Sequence, residues 1–180
     1  MNIVEPIKNK EDLKKIEEIL NQKNKRDLLL FIMGTNTGLR VSDILALNVE
    51  DVKDKDFVNL VEKKTGKQKK FPLNEKIKTA IKIYTKNKNP KDPLFKTTHQ
   101  KRMERTNAYR IINATCKKIG IEENIGTHTL RKTFGYHHYR KFRDIALLQK
   151  IFNHYSPNVT LRYIGIEQDE INNSYLNFIL

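Results

Sequence analysis

From Leu28 to Met33 the chain carries six consecutive apolar residues, inside a helix-length segment spanning 26 to 36. A helix that is apolar nearly all round has no face to offer water, so it belongs at the centre of a core with other elements packed about it. The flanking sequence supplies such elements. Leu13, Ile16 and Leu20 mark an amphipathic helix with Asn9 as its cap, and Val41 to Leu47 reads as a short third helix. Ile77, Ala80, Ile81 and Tyr84 repeat at i, i+3, i+4 and i+7, and further helices are expected at about 105–119, 127–141, 144–153, 157–164 and 168–179.

The helical period breaks once. Val49–Val52, Phe57–Glu62 and Lys69–Leu73 read as three strands, joined by turns at Lys53–Asp56 and Lys64–Lys67. Gly66 suits a hairpin tip that needs a positive φ, and Pro72 suits the end of a strand. Lys86–Pro93 is a loop, and Thr97–Met103 is irregular. The expected fold is mainly α within the α+β class: one helical domain over residues 1–180 with a small three-stranded antiparallel sheet.

Composition narrows the function. The formal net charge is +14, an excess that repels itself in a compact state. A polyanionic partner is the simplest reason to keep it, and nucleic acid fits best; a lysine-rich background composition is the competing explanation. Cys116 is the only cysteine, which excludes an internal disulfide and a cysteine-based zinc site. It lies at helical spacing with Ala108, Ile111, Ile112, Thr115 and Ile119 and is expected in the core. The polar start lacks a signal peptide, and the longest apolar run is too short to span a bilayer, so a cytoplasmic location without membrane partners is expected.

Four segments carry residues suited to phosphate chemistry. In Thr37-Gly38-Leu39-Arg40-Val41-Ser42-Asp43, Gly38 breaks a helix and Arg40 starts the next, so its guanidinium fork projects at a bend. Asp43, three residues on, can steady it on the same helix face. Lys64 stands at a hairpin tip among Lys63, Lys67, Lys69 and Lys70. His128 and Arg131 share a helix face at i and i+3, with Thr127 able to cap that helix. His154 sits at the break between two helices, and Tyr163 follows nine residues later. Alone, each segment reads equally well as a surface ion pair, a lysine-blunted strand edge or a packing tyrosine.

Together, in the order Arg, Lys, His-x-x-Arg, His, Tyr, they resemble the tyrosine recombinase (phage integrase) family. That family carries a T-G-L-R box, a hairpin lysine, an H-x-L-R box, a G-H-S-type box and a tyrosine nine residues beyond the last histidine. The matching residues are Arg40, Lys64, His128, Arg131, His154 and Tyr163, with Asp43 where the family has an acidic support for its first arginine. Lys64 is placed by counting back eight residues from Pro72. The match runs from about Leu13 to the end of the Tyr163 helix. Two departures are Asn153 in place of glycine, a residue that also tolerates a left-handed backbone, and Tyr155 in place of a small serine.

The resemblance implies the catalytic domain of such an enzyme, acting on double-stranded DNA without a metal or small-molecule cofactor. Tyr163 would attack a backbone phosphate to leave a 3′-phosphotyrosine, with Arg40, Arg131 and His128 on its oxygens, Lys64 protonating the leaving 5′-hydroxyl and His154 orienting the phosphate. A cationic site is expected to lower the pKa of the phenol below its usual value of about 10. The family's N-terminal core-binding domain is expected to be absent, because the match begins almost at Met1. The apolar tail Ile171–Leu180 is expected either to pack on its own domain or to dock on a neighbouring subunit in a homo-oligomer on DNA. Alternatives are type IB topoisomerase-like DNA relaxation, a non-catalytic DNA-binding relic of a recombinase, and a generic basic RNA-binding protein.

Overall fold

The computed structural model describes residues 4–126 and 128–179, except for the side chains of residues 167–170 and 174. Helix α1 (Lys10–Lys23) is capped by Asn9, whose Oδ1 accepts from Glu11 N at 2.8 Å. Helix α2 (Lys25–Thr37) follows at once, because Asn24 both ends α1 and accepts from Arg26 N. As its composition requires, α2 is the hub, burying Leu29, Leu30, Phe31, Ile32 and Met33 against α1, α4 (Glu75–Thr85), α5 (Arg105–Lys118) and α6 (Thr129–Phe142). Thr127, the residue expected to cap α6, lies outside the described residues. None of the described helices is long and apolar enough to cross a membrane.

The sheet has two strands rather than three: β1 (Phe57–Val61) pairs antiparallel with β2 (Gln68–Pro72), Phe57 opposite Pro72 and Val61 opposite Gln68. Val49–Val52, expected as a strand, opens instead as a 3-10 turn at Val49–Asp51. The cause is local. Asn48 N donates to Asp51 Oδ2 at 2.7 Å while the Asn48 side chain accepts from the third residue of the turn, a reciprocal box that closes the backbone on itself. Val49 and Val52 then point into the core from one side of the turn. The third helix, α3 (Val41–Ile44), is likewise shorter than its apolar pattern suggested.

Helices α7 (Ile145–Phe152), α8 (Pro157–Ile164) and α9 (Ile166–Asn177) form a smaller cluster on α6, centred on Leu148, Phe152, Ile164 and Ile166. Asn153 ends α7 with a φ of 54°, the left-handed conformation its type allows, and Ser156 caps α8 ahead of Pro157. In the tail, Ile171, Tyr175, Leu176, Phe178 and Ile179 are exposed, and Leu180 lies outside the described residues. Cys116 is buried as expected, and burial pushes its thiol up to about 12.

The crossing of α2 and α6 is close enough to need a glycine. A Cβ built on Gly34 would meet Leu130 Cβ at 2.8 Å. Alanine is the better helix former by about 1 kcal/mol, yet the overlap must displace a buried leucine. Gly34→Ala is therefore expected to destabilise the protein, by about 1–3 kcal/mol, as a lower urea midpoint in equilibrium unfolding.

Candidate active site

Gly38 closes α2 in the left-handed region with a φ of 64°, and the chain turns so that Arg40, in an extended conformation, precedes α3. A side chain at 38 would also strike the Phe134 ring at 2.7 Å, so glycine is required twice over. Arg40 Nη1 lies 3.1 Å from Glu62 Oε2 and 3.9 Å from Asp43 Oδ2. Neither Nη1 nor that Asp43 oxygen has an aligned hydrogen-bond partner, an uncommon condition for buried polar atoms and one that leaves donor capacity for an incoming anion. Asp43 does a second job: its Oδ1 accepts from Lys63 N at 3.0 Å, tying α3 to the start of the hairpin.

Glu62 is the carboxylate that sequence reasoning missed. It directly follows β1 and is almost fully buried, and Thr65 Oγ1 donates to it at 2.7 Å. Burial works against its ionisation, but the hydrogen bond from Thr65 and the nearby charge of Arg40 outweigh it and hold the carboxyl below its usual range. The available signal was one acidic residue leading into a run of lysines.

Arg131 is 3% exposed. It reaches across the molecule, with Nη1 donating to Gly38 O at 2.7 Å and Nη2 to Phe152 O at 2.8 Å, while its guanidinium carbon lies 4.4 Å from the centre of the Phe152 ring. The ends of α2 and α7 are thereby joined through a residue of α6. Of the five N–H donors of a guanidinium, these two bonds leave three to point elsewhere.

Tyr163, on α8, is half-buried between His154 and Phe152, with ring centres 5.1 and 5.6 Å away and both contacts edge-on. Lys132 Nζ sits 5.3 Å from the centre of its ring. The phenol oxygen meets His128 Nδ1 at 3.2 Å. The expectation that cationic surroundings lower the phenol is corrected: burial is the largest influence and raises it, and Arg131 and Arg40 offset that only in part. His128 is held below its usual value by loss of solvent and then by Arg131, Arg105, Arg40 and Lys132, which favours the neutral ring. His154 is bonded through Nδ1 to Thr160 Oγ1 at 3.1 Å, and desolvation followed by the two arginines brings it down to about 4.

Lys64 is exposed on the turn between the strands and lines an open recess of 360 Å³ with Arg40, Ser42, Lys63, Arg105 and His128. The fold therefore brings Arg40, Asp43, Lys64, His128, Arg131, His154 and Tyr163 into one region, together with Glu62.

The model of the Phage integrase family matches residues 9–170. The chain belongs to that family. This integrase-family chain is 48% identical over 179 residues to YoeC of Bacillus subtilis (strain 168), a probable integrase/recombinase, covering 99% of its own length and 98% of YoeC. The crystal structure of XerA recombinase superposes with a TM-score of 0.77 at 23% identity, over 96% of this chain and 63% of XerA. A lambda integrase tetramer bound to a Holliday junction gives 0.72 at 16% identity, over 91% of this chain and 49% of that one. At such identities these two likenesses concern the fold alone.

The His154 shift has a consequence for stability. Its ring titrates near 4 in the folded integrase-family chain and at its ordinary 6.5 when unfolded, so within that window the unfolded state binds more protons. Stability from this group is complete above 6.5 and declines as pH falls towards 4. His154→Gln should flatten that decline, read as urea midpoints at the two ends of the window.

Proposed function

We propose that this chain cleaves and rejoins DNA strands through a 3′-phosphotyrosine on Tyr163, the chemistry of site-specific recombination and DNA integration. The observation that carries the reading is the 3.2 Å contact between Tyr163 Oη and His128 Nδ1 beside two guanidiniums. The phenol is raised by burial and needs a base, and His128 is neutral and within reach. Tyr163 Oη attacks phosphorus as its proton passes to His128 Nδ1, and the P–O5′ bond breaks. Arg40 and Arg131 stabilise the charge gathering on the non-bridging oxygens. Lys64 gives its proton to the departing O5′, and His154 packs against the phenol and orients the phosphate. A 5′-hydroxyl from another strand reverses the step and completes the exchange.

Double-stranded DNA is the substrate that the +14 charge favours. The exposed apolar tail supports a further part of the reading, that α9 docks on a neighbouring subunit when several copies assemble on DNA. The lambda integrase tetramer on its junction is consistent with assembly of this kind.

A nicked suicide duplex traps the covalent intermediate. The expected result is a protein–DNA adduct that is lost in Tyr163→Phe and kept in Tyr155→Phe; an adduct persisting in Tyr163→Phe would refute the nucleophile. Lys64→Ala should slow cleavage by roughly 10²–10⁴-fold, the usual worth of general acid–base catalysis, and a 5′-phosphorothiolate, whose leaving group needs no proton, should restore the rate. For the tail, Leu176→Asp with Phe178→Asp should leave single-site binding intact and reduce the number of copies per DNA in sedimentation. An unchanged stoichiometry would argue against docking.

A further inference from the structure

Side chains alternate across β2: Lys69 and Phe71 face inward, while Gln68, Lys70 and Pro72 face solvent. Lys69 is thus the one lysine of this strand turned towards the candidate site. Its Nζ donates to Ile151 O at 2.8 Å, in the last turn of α7. Two residues earlier, Lys67 Nζ reaches Asn153 Oδ1 at 3.1 Å. One arm of the hairpin therefore grips the α7–α8 turn at two points, and the other arm is fixed to α3 by the bond from Lys63 N to Asp43.

The carbonyls ending a helix lack partners within it and carry the negative end of its dipole. In α7, Phe152 O is taken by Arg131 and Ile151 O by Lys69, so two cations cap adjacent carbonyls. The Lys69 ammonium is also felt by the charges around the site: Arg131 from α6, Arg40 ahead of α3, Asp43 in α3 and Glu62 at the end of β1.

Building on the cleavage reading above, we propose that Lys69 is a positioning residue: its ammonium fastens the hairpin carrying Lys64 to the turn carrying His154, holding both in one frame around the scissile phosphate. The fastening is strongest while the amine is charged, because a neutral amine keeps a donor but loses the charge-assisted part of the bond. Burial, and then Arg131, bring Lys69 down to about 8, so its charge is lost as pH rises through that value. An arriving phosphate anion favours the ammonium and pulls the other way, so DNA binding and protonation of Lys69 reinforce one another.

The test uses single-turnover cleavage of the suicide duplex bearing the 5′-phosphorothiolate, which removes any dependence on proton donation by Lys64. At saturating DNA, Lys69→Met should cleave roughly tenfold or more slowly, the size of a lost hydrogen bond from a charged group; Lys69→Arg should restore the rate. The wild-type rate should fall with rising pH at or above about 8, the value of the DNA-free protein, and Lys69→Arg should lack that fall. Lys70→Met, on the outer face of the same strand, should behave as wild type. A second measurement needs no catalysis: in Lys69→Met the amides of Gly66 and His154, each bonded within its own turn, should exchange hydrogen faster together.

Rescue of Lys69→Met by the phosphorothiolate would make Lys69 a proton donor instead and overturn the proposal. So would wild-type exchange at both amides, or an arginine variant that retains the fall near 8. Should Lys69→Met not fold, the pH comparison between wild type and Lys69→Arg decides. Absence of any adduct in the wild type would refute the cleavage reading, and the exchange measurement would still judge the fastening.

Discussion

The Arg131 guanidinium is the joint on which the remainder of the site depends. Without it, Gly38 O and Phe152 O, at the ends of two helices from different parts of the chain, would lose their bonds to the guanidinium. With it, α2 and α7 are held to α6, and the residues that follow those ends, Arg40 and His154, are brought to the same place. A buried cation is costly unless it is bonded on all sides. Here two carbonyls and the face of Phe152 satisfy one side only. The rest of the guanidinium is directed towards the region of Tyr163, so the same desolvation that makes Arg131 expensive to bury makes an anion there welcome.

That desolvation also sets the protonation states. Burial raises the phenol of Tyr163, while it lowers His128 and His154, so at neutral pH the site holds a protonated phenol beside neutral imidazoles. A low phenol pKa would have left a phenolate facing an incoming polyanion. The arrangement found keeps the site cationic and sets a neutral imidazole 3.2 Å from the phenol. The two buried carboxylates, Asp43 and Glu62, fit the same logic. They hold Arg40 and the hairpin in position without cancelling the positive field of Arg131.

Much of this was legible in the sequence, because local chemistry decides it. Asn9 caps α1, the glycine at 38 marks the left-handed end of α2, and Asn153 adopts the backbone region that a glycine would otherwise supply. The apolar run of α2 announced the hub of the core. What failed did so where a side chain competes with the backbone or where distance matters. Val49–Val52 has the composition of a strand, but Asn48 and Asp51 close it into a turn. Glu62 looks like a solvated residue on a lysine-rich edge until the fold sets Arg40 against it. The direction of the Tyr163 shift depends on the balance of burial against charge, which spacing along a chain does not encode.

The placement of the site at helix ends has a further physical sense. Side chains in the middle of packed helices are locked by their neighbours, whereas the ends offer unpaired backbone groups that polar side chains can use as anchors. Arg131 and Lys69 anchor on the carbonyls that end α7, Arg40 follows the end of α2, and His128 precedes the first turn of α6. Each of these side chains is thus attached to, or starts from, rigid structure, and of them Arg40 and His128 also line the recess. The hairpin is the exception, a two-stranded element too small to be rigid by itself. Its contacts with Asp43, Ile151 and Asn153 therefore tie the hairpin, with Lys64 at its tip, to helical structure on both arms.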